Sequence, residues 1–264
     1  MTVADFEASA PAEVTVITLT RGRPHLLPRA IASVAGLCCS VPVDHLIVID
    51  DCVPTRRWLE QAELRPRVKW QFAPRSRGAV SGPGRSAILR NAAVRQLSSR
   101  WLAFLDDDNE FEPDHLESLV QCALRTGSPA THSWLQMFHL DGRPFTEPRD
   151  PWTANAAESR QIYERMVRKG VRVPGSNVFR DRCDPSGTPD PVRSIDTGEW
   201  LLERQLLLRV PFTEQYDDAD WAAMTSEDDK LLAALLSAGV QIGCSGRATL
   251  RYYLGGYSNT RILL

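Results

Sequence analysis

The sequence lacks several patterns that identify membrane, secreted and nucleic-acid-binding proteins. No stretch of its 264 residues approaches the roughly 18 to 20 consecutive apolar residues of a membrane helix. The first residues, MTVADFEASAPAEV, have neither the basic region nor the apolar core of a signal peptide. The net charge of -2 gives no sign of a nucleic-acid surface. We therefore expect a cytoplasmic protein with no integral membrane segment and no nucleic-acid partner.

The six cysteines also lack a pattern, because they show neither C-x-x-C spacing nor a paired framework. This argues against a zinc ribbon or a disulfide scaffold and favours reduced, mostly buried thiols. The chain is 43% hydrophobic, which at this length is enough for a sizeable core.

Short apolar strands alternate with amphipathic helices in the first half of the chain. Strands are predicted at Val14 to Leu19, His45 to Asp50 and Val68 to Phe72, and Thr55 is predicted to cap the helix after the second strand. When a helix follows each strand through short links, the helix carries the chain back across the sheet, and the next strand can then pair in parallel. The predicted fold class is therefore α/β, with an open, mostly parallel sheet flanked by helices.

The next strand ends in three carboxylates. The apolar run Trp101 to Leu105 leads directly into Asp106, Asp107 and Asp108. Ligands of open α/β sheets bind at the carboxyl ends of the strands, and Mg²⁺ or Mn²⁺ takes carboxylate oxygens that it shares with phosphates. We interpret the three acids as a candidate metal and phosphate site. The alternative is an acidic strand end that faces water.

Two further groups of acids accompany this segment. Asp50 and Asp51 end the second strand and should open onto the same edge, although they are also ordinary turn residues. Glu227, Asp228 and Asp229 begin a predicted helix, where the helix dipole favours negative charge. A carboxylate at that position is also a candidate general base.

Arginines are frequent in the segments that lead to this edge and could bind a diphosphate through their fork geometry, or they could be solvated surface charges. They are Arg21, Arg75, Arg77, Arg85 and Arg90.

The second half is less regular. Asp141 and Gly142 predict a hairpin turn, and the Pro- and Gly-rich segment Asp181 to Arg193 predicts a mobile loop that could cover the cleft. Trp200 to Leu208 is ambiguous between strand and helix, and Glu227 to Ala238 predicts a helix.

Several motifs in this order resemble the inverting family 2 glycosyltransferases of the GT-A fold. They are TRGRP before a helix, HLIVIDD, RSAILRNAA, WLAFLDDDNEFEPDHLESL and SEDDKLLAALLSAGV. The resemblance extends over Val14 to Val240. It implies an enzyme dependent on Mn²⁺ or Mg²⁺ that transfers a sugar, with inversion, from a nucleoside diphosphate sugar. The expected donor is a UDP-sugar, and the acceptor is a hydroxyl of a small molecule or glycan.

The resemblance also implies roles for individual residues. Asp50 or Asp51 would contact the base, Asp106 the ribose and Asp108 the metal, with Asp107 in support. The residues expected around the nucleoside and the rest of the donor are Thr20, Arg21, Arg90 and Asn91.

Asp228 would be the catalytic base, and Glu227 would orient it or bind the acceptor. No His follows His139, so water and phosphate are expected to complete the metal's coordination.

The implied organisation is a disordered start at residues 1–12, a donor-binding half at 13–128 and an acceptor-binding half of the same domain at 129–264. Acceptor contacts are expected among aromatic and acidic residues of the second half, all of which could equally fill the core. They are Trp134, Trp152, Glu199, Trp200 and Trp221.

Two other functions remain open from the sequence. A nucleotidyltransferase acting on a sugar phosphate would carry a Gly-rich loop after its first strand, whereas Thr20 to Leu26 holds one Gly. A non-catalytic sugar-nucleotide or glycan-binding module would keep the sheet without the chemistry. The oligomeric state is not predicted.

Overall fold

The computed structural model describes residues 12–75, 82–185 and 187–256. Most of the predicted disordered start therefore lies outside the described residues, as does Arg77. The strands are Val14–Thr20 (β1), Val43–Asp50 (β2), Val68–Ala73 (β3), Trp101–Phe104 (β4), Glu110–Phe111 (β5), Ala130–Phe138 (β6), Val178–Phe179 (β7), Arg182–Cys183 (β8), Arg193–Ser194 (β9), Trp200–Glu203 (β10) and Ile242–Tyr253 (β11). The helices are Leu27–Ala35 (α1), Val53–Gln61 (α2), Pro83–Gln96 (α3), His115–Thr126 (α4), Ala156–Arg168 (α5), Arg204–Arg209 (α6), Asp218–Ala222 (α7) and Glu227–Ser237 (α8), with a short 3-10 helix at Thr197–Glu199.

One large sheet runs through the molecule in the order β3-β2-β1-β4-β10-β6-β11-β5, with β7 beside β6. The first four strands in this order are parallel, and so is the β6–β11 pair. β10 is antiparallel to both β4 and β6. The predicted α/β fold with a mostly parallel sheet is confirmed.

The segment Trp200 to Leu208, which the sequence left ambiguous, contains both kinds of structure. The chain is extended through β10 and turns into α6 at Arg204. Because β10 lies between β4 and β6, the second half of the chain contributes a strand to the centre of the sheet. The division into donor and acceptor halves stays a prediction, and both halves share one sheet.

Alternating side chains of the strands pack on the two faces of the sheet, as a period of two requires. Val16 of β1 packs with Leu116 and Leu119 of α4, whereas the next residue, Ile17, packs with Leu231 of α8 on the opposite face. Helices thus cover both faces. Within the described residues, no helix is long and apolar enough to cross a membrane.

Several predicted boundaries need correction. The second helix begins at Val53 with Cys52 at its N-cap, so Thr55 lies inside the first turn and donates to the Cys52 sulfur. The segment predicted as a mobile loop begins with a buried Asp181, and β8 pairs with β9 across it. Strands of two residues are too short to leave a periodic pattern in the sequence.

Candidate active site

The carboxyl ends of β1, β2 and β4 bring the predicted donor residues to one edge of the sheet. Ile17 pairs with Phe104 in the parallel ladder, so Thr20 and Asp107, each three residues further on, arrive at the same level. The Thr20 hydroxyl donates to Asp107 Oδ2 at 2.7 Å. The strand register therefore explains why the first loop contacts the acidic segment.

The three carboxylates of the acidic segment have different surroundings. Asp107 is completely buried, and burial raises its pKa to about 7 although the positive charge of Arg23 opposes this shift. Arg23 donates to Asp107 and also to Asp108 Oδ2, the latter at 2.6 Å. The side chain of Asp106 is 40% exposed and lies 3.4 Å from Arg90. These differences fit a supporting role for Asp107 and leave Asp106 and Asp108 as the ligand-binding candidates.

Asp50, at the end of β2, is held by arginines. Arg75 Nε donates to Asp50 Oδ1 at 3.0 Å, Arg85 Nε donates to the same oxygen at 2.9 Å, and Arg21 lies 3.8 Å away. Burial raises the pKa of Asp50, but the hydrogen bonds from Arg75 and Arg85 outweigh it and leave the pKa below its usual value. Asp51 is exposed and has a φ of 47°, at a bend directly after β2.

The three acids in the first turn of α8 have different contacts. Ser226 caps the helix by accepting from the Asp229 N–H at 3.1 Å, and Asp229 Oδ2 accepts from the Ser226 N–H at 2.9 Å. Asp229 is therefore a capping residue. Glu227 accepts from Arg90, and Oδ1 of Asp228 is buried without a hydrogen-bond partner among the described residues.

The pKa of Asp228 lies well above its usual value. Burial is the main cause, followed by the negative charges of Asp196 and Glu227, while Arg90 opposes the shift. The negative charge of Asp106 raises it further. A carboxylate of raised proton affinity is suited to take a proton from a hydroxyl.

Arg90 and Asn91, which are neighbours on α3, bind different partners. The Arg90 guanidinium is 4% exposed, donates to Glu227 and lies 3.4 Å from Asp106, so it connects the end of β4 with the start of α8. Asn91 donates to the Phe212 carbonyl at 2.9 Å and accepts from the Phe212 N–H at 3.0 Å. It also donates to Glu214 Oε1 at 2.8 Å, so Asn91 organises the segment that precedes α7.

Asp196 was not among the residues predicted from the sequence. This residue caps the 3-10 helix by accepting from the Gly198 N–H at 2.7 Å, and its own N–H donates to Glu199 Oε2 at 2.8 Å. Burial raises its pKa to about 7, and the charges of Asp106 and Asp181 add to the shift. The only local signal is an Asp three residues before Glu, as in a capping box.

A buried acid pair lies behind Asp196. Glu199 is completely buried, and Asp181 is 5% exposed. Burial raises the pKa of Glu199 well above its usual value and that of Asp181 to about 6. Two adjacent buried carboxyl groups cannot both be charged without large cost, so we expect them to share a proton.

The predicted acceptor tryptophans are dispersed. Trp200 is fully buried in the core, and Trp152 packs edge-on to Tyr252 and Phe179. Trp134 lies beneath the guanidinium of Arg180. Trp221 of α7 is 52% exposed.

The acidic segment implies a divalent metal ion, so its carboxylates should be able to hold one. Within residues 12–75, 82–185 and 187–256, no group of three or more His, Cys, Asp or Glu side chains could hold a metal ion by itself. Mg²⁺ and Mn²⁺ sites that act on phosphates commonly use one or two carboxylates and complete their coordination with phosphate and water. Asp106, with its side chain 40% exposed, and Asp108, which is 7% exposed and has only Oδ2 bound by Arg23, fit a site of that kind.

Sequence comparison gives two curated relatives. The succinoglycan biosynthesis protein ExoO of Rhizobium meliloti (strain 1021) is 30% identical over 132 residues, which is 50% of this chain and 35% of the relative. The putative teichuronic acid biosynthesis glycosyltransferase TuaG of Bacillus subtilis (strain 168) is 28% identical over 108 residues, 40% of each chain. The matched regions span less than half the length of either relative.

Solved structures share the fold at low identity. S. aureus TarS 1-349 in complex with UDP-GlcNAc has a TM-score of 0.58 at 15% identity, with 94% of this chain and 60% of that chain covered. The mannosyltransferase PcManGT from Pyrobaculum calidifontis, in complex with GDP-Man and Mn²⁺, has a TM-score of 0.54 at 13% identity, with 94% and 59% covered. The family model of glycosyl transferase family 2 matches residues 15–182, well over half of the sequence. With the GT-A-type sheet and its acidic edge, this match shows that the chain belongs to glycosyltransferase family 2.

Proposed function

We propose that the protein is a metal-dependent inverting glycosyltransferase that moves a sugar from a nucleoside diphosphate sugar to a hydroxyl acceptor. The observation that carries the proposal is the placement of Asp228. Its Oδ1 is buried without a hydrogen-bond partner among the described residues, and Arg90 links its helix to the acidic end of β4. A donor edge and a candidate base are thus held together by one buried cation.

The donor is assigned to the edge formed by β1, β2 and β4. We propose that Asp106 binds the ribose, Asp108 holds Mn²⁺ or Mg²⁺, and Asp50 or Asp51 contacts the base. When bound, the cation would neutralise the negative charge that develops on the leaving diphosphate. A UDP-sugar is the expected donor, and the TarS complex with UDP-GlcNAc supports it by fold alone.

Arg21, with Thr20 beside it, is placed to border the nucleoside. The structure refines the roles proposed for α3, because Arg90 contacts Glu227 and Asp106, and Asn91 contacts Phe212. We propose that Arg90 acts on the donor through Asp106, and that Asn91 supports the site through the segment it anchors.

The acceptor hydroxyl is proposed to lose its proton to Asp228 as its oxygen attacks the anomeric carbon from the face opposite the leaving diphosphate. Displacement from that side inverts the configuration. Since Asp228 must be deprotonated to act, and its pKa is raised by burial and by Asp196 and Glu227, the rate should increase with pH through a range above that of an ordinary carboxyl group. Holding donor and acceptor in line removes much of the entropic barrier.

The test uses a panel of UDP- and GDP-sugars with Mn²⁺ or Mg²⁺, and measures the release of nucleoside diphosphate. A general base contributes about 100- to 10,000-fold, so Asp228→Asn should lower the kcat of this release by that factor. Asp229→Asn is the matched control, because its amide oxygen can still accept from the Ser226 N–H and cap the helix. Equal rates for Asp228→Asn and the wild type would contradict the assignment of the base, and an α-configured product from an α-linked donor would contradict inversion.

A further inference from the structure

Arg23 connects the first loop to two carboxylates of the acidic segment. One guanidinium nitrogen, Nη1, donates to Asp108 Oδ2 at 2.6 Å, and Nη2 donates to Asp107 Oδ1. The Arg23 side chain is 20% exposed, so the contact is largely withdrawn from water. A planar guanidinium that binds two carboxylates at once fixes the orientation of both.

Asp107, the second carboxylate bound by Arg23, is rigidly held. Asp107 is completely buried, and its Oδ2 accepts from the Thr20 hydroxyl at 2.7 Å, so this carboxylate is anchored to the end of β1. Asp107 cannot rotate without breaking its hydrogen bond to Thr20. It therefore also fixes the orientation of the Arg23 guanidinium. The orientation of Asp108 is therefore set by a chain of contacts that begins in the sheet.

Neighbouring groups also surround the backbone and the Oδ2 atom of Asp108. Arg29 donates to the main-chain carbonyl of Asp108, which holds the backbone. At Gly256, an added Cβ would lie only 2.7 Å from Asp108 Oδ2. Oδ2 is thus enclosed by Arg23 and by the backbone at Gly256, and Oδ1 is the oxygen on the other side of the carboxylate.

We propose that Arg23 is a positioning residue for the metal ligand: it binds Oδ2 of Asp108 and so presents Oδ1 to the divalent cation. This inference rests on the proposed function, which places the metal at Asp108. Carboxylates that bind metals are usually held by hydrogen bonds from neighbouring groups, and the loss of such a group typically lowers metal affinity about 10- to 100-fold. Simple charge repulsion predicts the reverse, because a neighbouring cation weakens the binding of another cation.

Two substitutions separate geometry from charge. Arg23→Lys keeps the positive charge but loses the planar fork, and Arg23→Met loses both. If Arg23 positions Asp108, the Kd for Mn²⁺ should rise at least tenfold in the Lys variant. If its charge merely opposes the metal, the Lys variant should match the wild type and the Met variant should bind Mn²⁺ more tightly.

Binding is measured from the electron paramagnetic resonance signal of free Mn²⁺, titrated with the protein in the presence of UDP or GDP and compared with the same nucleotide without protein. Arg67→Lys is the matched control, because Arg67 makes a similar ion pair with Asp44, at 2.9 Å, at the start of β2. Circular dichroism checks that each variant is folded, and the Lys variant carries the test if the Met variant does not fold.

The outcomes distinguish the inference from the proposed function. If the wild type binds Mn²⁺ and Asp108→Asn does not, the metal assignment holds. An Arg23→Lys variant that then equals the wild type would overturn the positioning role alone. If the wild type takes up no Mn²⁺ with either UDP or GDP, the metal assignment fails, and the role of Arg23 fails with it.

Discussion

The Arg90–Glu227 ion pair connects the two sides of the candidate site, and a double-mutant cycle measures its energy. Arg90 is 4% exposed and the Glu227 side chain 18%, so both charges are largely withdrawn from water. Removing one partner of a buried pair leaves the other charge uncompensated, at a cost of about 3 to 5 kcal/mol. Because Glu227 keeps some contact with water, we expect Arg90→Met to lower the free energy of unfolding by about 3 kcal/mol.

Glu227→Gln keeps an oxygen that can accept from Arg90, so we expect it to cost only about 1 kcal/mol. The double variant removes both charges together and should lose less stability than the two single variants added. The expected coupling energy is about 1 to 2 kcal/mol. Donor hydrolysis should stay low in the double variant, because Asp106 and α8 are then no longer connected.

Urea unfolding at pH 7.5 gives the stabilities, and the release of UDP from the preferred donor gives the activity. The pair Arg100 and Glu203, 3.3 Å apart and with both side chains more exposed, is the matched control, and its coupling energy should be below about 0.5 kcal/mol. Additive effects at Arg90 and Glu227, within about 0.3 kcal/mol, would refute the argument that this pair holds the site together.

Two further predictions concern the supports of the site. The folded pKa of Asp196, about 7, is raised above its ordinary value by burial and by Asp106, so its contribution to stability is complete below about pH 4 and is lost as the pH rises to about 7. Asp196→Asn keeps the oxygen that accepts from the Gly198 N–H and removes the charge. As the pH rises from 4 to 8, the melting temperature of this variant should therefore fall less than that of the wild type. Asn91→Ala removes two buried hydrogen bonds and one partly buried hydrogen bond, and it should lower the free energy of unfolding in urea by about 2 to 4 kcal/mol.

Each of these has an outcome that contradicts it. If Asp196→Asn and the wild type lose melting temperature in parallel between pH 4 and 8, the charge of Asp196 does not become costly on folding. If Asn91→Ala unfolds within about 0.5 kcal/mol of the wild type, the segment around Phe212 is held by other contacts.

The sequence predicted the donor edge because its determinants are local. β1, β2 and β4 are short runs of apolar residues, and parallel pairing then places Asp50 and Asp106 at the same edge without further information. The helix α8 was predicted from its apolar period, and Ser226 caps it. The placement of these acids at one edge of the sheet could therefore be predicted from the sequence, and their individual roles stay predictions.

The remaining parts of the site depend on contacts between distant segments. Asp196 reaches the cleft because β10 lies between β4 and β6, and nothing in the sequence near Asp196 specifies that pairing. Arg23 differs from Arg21 only in its position within the loop, and its contact with Asp107 depends on the register of β1 and β4. Thr55 was predicted as a cap from residue type, whereas the helix begins two residues earlier.

The antiparallel strand β10 limits how this chain can be divided or recombined. A cut between residues 128 and 129 would take β10 away from β4 and leave an open strand edge in the middle of the sheet. The segment before that cut is therefore not expected to be an autonomous folding unit. A chimera that exchanges the proposed acceptor-binding half between relatives would have to keep β10 paired with β4, so a new acceptor preference would have to be built around an unchanged sheet centre.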